Sequence, residues 1–269
     1  MTLLARTTLL SILVLTTGCG GSDGDSSEKG SGAGTGGTTA DTGDTNDGNI
    51  EAIFPTAEMD RVLFYYGNGG YEPDNGKGEF ELLDEHLKST FGWNTDHRDD
   101  WTEDLSDYRM VGLVALGHSG GDDLTAAQLE DLRTALASGT RLVFFGDRES
   151  CGSTVMSSAL SQLGATMTYT GDAAGLNQRI DATDLGAHQL TDGLSKVIFK
   201  EPCWVNSAGG SRVVNHIDFV VAAAQRPATG GDIVLIGDFQ AIDGSGYLTD
   251  DSADNLTFAE RLAKVDPSL

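Results

Sequence analysis

The sequence predicts an α/β fold, a three-layer sandwich in which helices cover both faces of a mostly parallel central sheet. Four short runs of the 269-residue chain are almost continuously apolar, as strands buried on both faces of a sheet are. Segments with helical periodicity lie between them, and strands that alternate with helices form parallel sheets through crossover connections. The predicted strands cover residues 61–66, 110–116, 140–145 and 232–236.

Four helices are predicted from apolar spacing and end signals. In the first, Leu82, Leu83 and Leu87 recur at helical spacing. In the second, Thr125 is the expected N-cap and Gln128 follows three residues later, which is the spacing of a capping box. The four predicted helices cover residues 80–90, 124–138, 153–163 and 255–263.

Residues 165–225 depart from this alternation of strands and helices. Pieces rich in Thr and Val, at 165–170 and 196–199, have the composition of strands. We expect an antiparallel or irregular excursion from the parallel sheet here. Residues 50–269 together have the length of a single α/β domain.

The amino terminus has the pattern of an export signal. Arg6 precedes an apolar run, residues 9–15, which is too short to span a bilayer, and small residues then lead to Cys19. The segment resembles a bacterial lipoprotein signal, in which this Cys is lipidated and becomes the new amino terminus. The alternative is an ordinary cleaved signal with an incidental Cys. We expect residues 1–18 to be the signal peptide and Cys19 to carry the lipid.

Residues 20–49 contain ten Gly and no aromatic or large aliphatic residue, so we expect a disordered tether after the lipidated Cys. Of the 41 acidic and 17 basic residues in the chain, 35 and 15 fall in residues 50–269, which gives the domain a net charge of -20. This charge excludes nucleic-acid binding through a basic surface, because phosphate affinity comes from Lys and Arg. The same charge argues against docking of a basic face onto anionic lipid headgroups, so we expect the lipid on Cys19 to be the contact with the membrane.

Several segments resemble class I glutamine amidotransferase-like domains. The resemblance extends over residues 60–265 and implies a flavodoxin-like fold. One segment, 188–194, is similar to a His-Pro-Leu-Thr-x-Gly-Leu stretch of secreted relatives that are not amidotransferases. The other segments that carry the resemblance are residues 105–116, 124–146, 230–238 and 254–258.

The resemblance does not extend to the amidotransferase catalytic residues. Enzymes of that superfamily use a Cys nucleophile on a tight turn after a strand, together with a later His-x-Glu pair. Here the strand 140–145 leads into Gly146, Asp147 and Arg148, so the turn carries an acid and no thiol. No His-x-Glu occurs in the chain, and we therefore assign no catalytic residue.

Cys151 and Cys203 are the two Cys that remain once Cys19 is lipidated. An even number of Cys in an oxidising compartment favours a disulfide. A Cys151–Cys203 bridge would connect the loop after strand 140–145 to the excursion. A reactive Cys151 thiol is the alternative.

The strand ends supply the candidate ligand site. In open α/β sheets ligands bind outside the carboxyl ends of the strands, where this chain places polar side chains. The five His are far apart in sequence and form no zinc-binding motif, so we expect no metal and no cofactor. The candidate ligand-binding residues are Asn68, His118, Ser119, Asp147, Arg148 and Glu149.

The favoured function is a non-catalytic binding domain, held by its lipid in the cell envelope at the periplasmic face of the outer membrane or at the cell surface. Its partner is a small ligand or an envelope protein, and we expect a monomer. One alternative is a hydrolase or other enzyme that uses His118, Asp147 and Arg148, with Cys151 as a further candidate. A second is calcium-dependent adhesion through the acidic stretches 96–100 and 250–255.

Overall fold

Five neighbouring parallel strands form one side of the main sheet. The computed structural model describes residues 59–71, 79–102, 104–244 and 246–264, so the signal, Cys19 and the tether lie outside the described residues. The twelve strands described are β1 (Arg61–Tyr65), β2 (Asn94–Arg98), β3 (Tyr108–Val114), β4 (Arg141–Phe145), β5 (Thr168–Ala173), β6 (Arg179–Ala182), β7 (Asp184–Leu185), β8 (Val197–Lys200), β9 (Cys203–Asn206), β10 (Ser211–His216), β11 (Phe219–Gln225) and β12 (Asp232–Ile236).

The parallel strands have the order β2-β1-β3-β4-β12, and β11, β10 and β7 extend the sheet beyond β12 as antiparallel neighbours. Four α-helices connect or follow the parallel strands. They are α1 (Glu81–Phe91), α2 (Ala126–Ala137), α3 (Thr154–Gln162) and α4 (Asn255–Ala263). The predicted α/β class with a mostly parallel central sheet is confirmed.

Alternate residues of each central strand face opposite helical layers, because successive side chains of a strand point to opposite faces. On β4, Leu142 and Phe144 pack with α2 and α3, whereas Val143 and Phe145 pack with α1 and α4. All four are fully buried. Burial on both faces is the reason that this strand is continuously apolar in the sequence.

The helices begin and end near their predicted limits. The Thr125 side chain accepts a hydrogen bond from the Gln128 backbone N–H, and the Gln128 side chain accepts one from the Thr125 N–H, as the predicted capping box requires. On α1, Leu83 and Leu87 are buried, but Leu82 is 44% exposed. The inward face of α1 is therefore narrower than its sequence indicates.

The excursion over residues 165–225 is antiparallel. Strands β5 to β11 fall within it, and β5 pairs with β9, β9 with β11, and β10 with β11. β6 and β8 form a separate two-stranded sheet. The excursion thus joins the main sheet through β11, the neighbour of β12.

The sequence predicts no strand at β2, because this strand contains no apolar residue. It pairs with β1 at the edge of the sheet, and its Asp96 and His97 side chains have polar partners in other elements. Asp96 accepts hydrogen bonds from the Arg61 guanidinium (2.6 Å) and the Tyr108 hydroxyl (2.7 Å), and His97 contacts Asp84 at 2.8 Å. Among the described residues no helix is both long and apolar enough to span a membrane.

Arg141 connects the last helix to the start of β4. Its side chain is fully buried, and its Nη1 donates hydrogen bonds to the backbone carbonyls of Arg261, Leu262 and Lys264 at 2.8–3.0 Å. Its Nη2 lies 3.2 Å from a carboxylate oxygen of Asp232 on β12. One side chain therefore satisfies carbonyls at the α4 carboxyl terminus and pairs a buried acid.

We expect Arg141→Met to lower the free energy of unfolding by about 3 kcal/mol, because it leaves buried carbonyls and a carboxylate without this donor. Urea denaturation followed by circular dichroism measures the change. Arg212→Met, at an exposed position on β10, is the control and should shift stability by less than about 0.5 kcal/mol. Equal unfolding midpoints for the two variants would contradict the role of Arg141.

Candidate ligand-binding site

The loops that follow β1 and β3 interlock at the carboxyl edge of the sheet. The Gly117 N–H donates to the Asn68 carbonyl (3.1 Å), and the Ser119 N–H donates to the Gly69 carbonyl (2.9 Å). Gly69 has a φ of 69°, and a Cβ built on it would lie 1.2 Å from the Gly120 carbonyl oxygen. Only glycine permits this close approach, which fixes the loop that carries His118.

Asp147 follows β4 and begins a short 3-10 turn, Arg148–Ser150. Its carboxylate accepts the Glu149 N–H (3.2 Å), and its own N–H donates to the Ser150 hydroxyl oxygen (2.9 Å). These reciprocal bonds satisfy backbone N–H groups that would otherwise lack a partner at the start of the turn. They also hold Asp147 and Glu149 on the side of the turn that faces His118.

Three predicted residues converge at this edge. His118 Nδ1 lies 3.3 Å from Asp147 Oδ2 and 3.8 Å from Glu149 Oε2. The His118 and Asp147 side chains are 20% and 15% exposed, whereas that of Glu149 is 64% exposed. The cluster is thus half-buried at Asp147 and open to solvent at Glu149.

An aromatic side chain supports the His118 ring. The Tyr71 ring stands edge-on to His118 with centroids 5.4 Å apart, and it stacks on Phe239 at 4.8 Å. Such packing restricts the orientation of the imidazole. The sequence carries no sign of this contact, because Tyr71 is a single aromatic residue after a glycine-rich loop.

Burial, together with the nearby Glu149 carboxyl, raises the pKa of Asp147 to about 6, while the charge of His118 opposes the shift. A hydrogen bond from the Asp147 carboxyl lowers the pKa of Glu149, and the charges of His118 and Arg148 add to that effect. The pKa of Asp147 is therefore raised and that of Glu149 is lowered, so the exposed Glu149 carboxyl is the more readily ionised of the two.

The other three candidates have different partners. The Asn68 amide oxygen accepts from the Tyr65 hydroxyl (2.6 Å), and its NH₂ group donates to the Asp122 carbonyl (3.0 Å). Arg148 lies 3.6 Å from Glu201 of the excursion. Ser119 is exposed and contributes the backbone bond described above.

Asp238, at the end of β12, is fully buried. Its carboxylate accepts the backbone N–H groups of Lys200 (2.6 Å) and Gln240 (2.9 Å). Burial raises its pKa well above the ordinary value, and the charges of Asp147 and Asp243 contribute in the same direction. Asp238 thus attaches strand β8 of the excursion to the end of the parallel sheet.

A disulfide joins Cys151 and Cys203, with Cα atoms 5.3 Å apart, as the sequence predicts. It connects the end of the turn that holds Asp147 and Glu149 to strand β9. Neither sulfur is a free thiol in this state, so Cys151 has no role as a nucleophile there.

Comparison with solved structures finds the same fold in other proteins. The N-terminal domain of mmIFT52 is 16% identical, with a TM-score of 0.58 over 78% of this chain and 100% of that one. A putative ThuA-like protein from Bacteroides uniformis is 14% identical, with a TM-score of 0.50 over 78% and 93% of the two chains. A cytoplasmic protein from Salmonella typhimurium LT2 is 10% identical, with a TM-score of 0.53 over 76% and 100%.

No family model and no curated protein matches the sequence. The similarity to solved structures, at these identities, concerns the fold alone. It supports the α/β class and places a ThuA-like protein among the structural neighbours, in agreement with a flavodoxin-like fold.

We expect the double variant Cys151→Ala/Cys203→Ala to lose about 4 kcal/mol of unfolding free energy, because the bridge closes a loop between positions 52 residues apart. Urea denaturation measures the loss. Reduction of the wild-type protein should give the same change and should leave the variant unaffected. A wild-type protein whose stability is insensitive to reduction would contradict the prediction.

Proposed function

We propose that this protein is an exported, lipid-anchored component of the bacterial cell envelope whose α/β domain binds a ligand without catalysing a reaction. Cys19 carries the lipid, and residues 20–49 form the tether, with a reach of roughly 30 Å. The chain contacts the membrane through the lipid alone. The domain acts as a monomer and binds no nucleic acid.

The residues at the turn after β4 support a non-catalytic role. This is the position at which the amidotransferase superfamily holds its nucleophilic Cys, and here Asp147 occupies it. The Cys151 sulfur, four residues further on, is bonded to Cys203. Among the described residues, this strand end therefore offers no free thiol for chemistry of the amidotransferase kind.

The cluster of His118, Asp147 and Glu149 supports binding at the same edge. It combines a shielded imidazole nitrogen with one half-buried and one exposed carboxyl, on loops fixed by backbone hydrogen bonds. Ligand sites in α/β sheets occupy this edge. The ligand is a small molecule or ion, or a group presented by an envelope protein.

A hydrolase is the second candidate, and the convergence of His118 and Asp147 favours it. A His beside a carboxylate can accept and return a proton. Arg148 does not join this pair, because it contacts Glu201. Hydrolysis of chromogenic esters or phosphates that disappears in His118→Ala, and persists in His216→Ala, would establish the enzyme and overturn the binding module.

Calcium-dependent adhesion has no specific support from the acidic stretches. Asp250 lies 3.1 Å from Arg179, and Asp96 is paired with Arg61. Asp254 precedes α4, but its carboxylate accepts the N–H groups of Ser195 and Lys196 instead of capping the helix. These acids already have protein partners, and we do not propose calcium ligation by them.

We expect the full chain to incorporate an alkyne-labelled fatty acid in a bacterial host and to fractionate with membranes, because Cys19 becomes the lipidated terminus. Cys19→Ser should lose both the label and the membrane association. The Cys151→Ala/Cys203→Ala variant is the control and should keep the label. Labelling of Cys19→Ser equal to that of the wild type would reject the anchor.

A further inference from the structure

The three clustered side chains have the spacing of ligands around one metal ion. One donor atom from each of His118, Asp147 and Glu149 lies within 4.8 Å of the other two. Bonds of about 2.1 Å to a tetrahedral ion would place ligand atoms roughly 3.4 Å apart. The His118 nitrogen lies 3.3 and 3.8 Å from the two carboxylates, so small side-chain rotations would bring all three to an ion.

His118 Nδ1 has no hydrogen bond that accounts for its position. The atom is shielded from solvent and makes no hydrogen bond of acceptable geometry, although Asp147 Oδ2 is 3.3 Å away. A shielded polar atom without such a bond costs free energy. A cation between this nitrogen and the two carboxylates would satisfy all three groups.

The surrounding structure fixes the donors in the way that metal sites require. The 3-10 turn holds Asp147 and Glu149 through its capping bonds, and the disulfide at Cys151 fastens the end of that turn. Tyr71 packs against the edge of the His118 ring. The exposed Glu149 side chain leaves a path from solvent to the cluster.

We propose that His118, Asp147 and Glu149 form a binding site for a divalent transition-metal ion. One imidazole and two carboxylates suit Zn²⁺ or Mn²⁺, whereas Ca²⁺ takes six to eight oxygen ligands. Three protein ligands leave at least one coordination position for water or an anionic ligand. No zinc motif predicts this site, because its ligands follow two different strands.

The test is isothermal titration of the chelator-treated full chain, purified in detergent from an exporting host, with ZnCl₂, MnCl₂ and CaCl₂. We expect one Zn²⁺ or Mn²⁺ per chain above the background of surface binding, and weaker Ca²⁺ binding. His118→Ala should weaken the transition-metal site about 100-fold or more, and Glu149→Gln about 10-fold or more. The melting temperature of the wild type should rise with metal and return with chelator.

His216→Ala and Glu130→Gln are the matched controls, since they remove the same groups outside the cluster. Both should bind metal as the wild type does. Glu149→Gln changes an exposed side chain, so it tests the site even if His118→Ala fails to fold. Equal binding by the wild type, a folded His118→Ala and Glu149→Gln would overturn the site, as would no binding by the wild type.

The metal site rests on the proposed function only in taking the same cluster as the binding surface. Intact fatty-acid labelling without metal binding would reject the metal and leave the anchored protein standing. Metal binding by a chain that is not lipidated would reject the anchor and leave the metal site standing. Metal-dependent hydrolysis that requires His118 would replace the binding module with the enzyme and retain the metal.

Discussion

The attachment of the antiparallel excursion to the carboxyl edge of the parallel sheet is the constraint on which the site depends. Contacts that make it include the Cys151–Cys203 disulfide, the hydrogen bond from the Lys200 N–H to the Asp238 carboxylate, and the Arg148–Glu201 ion pair. Two of them begin in the loop that follows β4. That loop therefore cannot move without disturbing the excursion, and Asp147 and Glu149 keep a fixed relation to the sheet.

Burial explains which parts of the fold the sequence predicts. A strand covered on both faces must be continuously apolar, so β4 and β12 can be located from composition alone. The edge strand β2 has the sequence Asn-Thr-Asp-His-Arg, and its stability comes from partners distant in the chain, such as Arg61. Local periodicity contains no information about such partners, and the same residues read alone have the composition of a polar loop.

The candidate site is predictable to the same limited extent. The rule that ligands bind at strand ends selects His118, Asp147 and Glu149, and the structure brings them together. It also selects Asn68 and Arg148, whose side chains bind elsewhere. The rule gives the edge of the sheet, whereas the direction of each side chain depends on turn geometry and on partners in the excursion. Tyr71 and the buried Asp238 contribute through tertiary contacts that the sequence does not reveal.

The residue at the turn after β4 determines what this scaffold can do. A thiol there would be a nucleophile, and the neighbouring imidazole would accept its proton. A carboxylate at the same point is a much weaker nucleophile, but it is a good partner for a cation, and it faces His118 and Glu149 instead of a free Cys. With Cys151 held in the disulfide, the described residues of this strand end present acids and an imidazole but no free thiol. The turn that would position a nucleophile for attack instead holds two carboxylates close to an imidazole, and for this reason we propose ion binding as the use of the site.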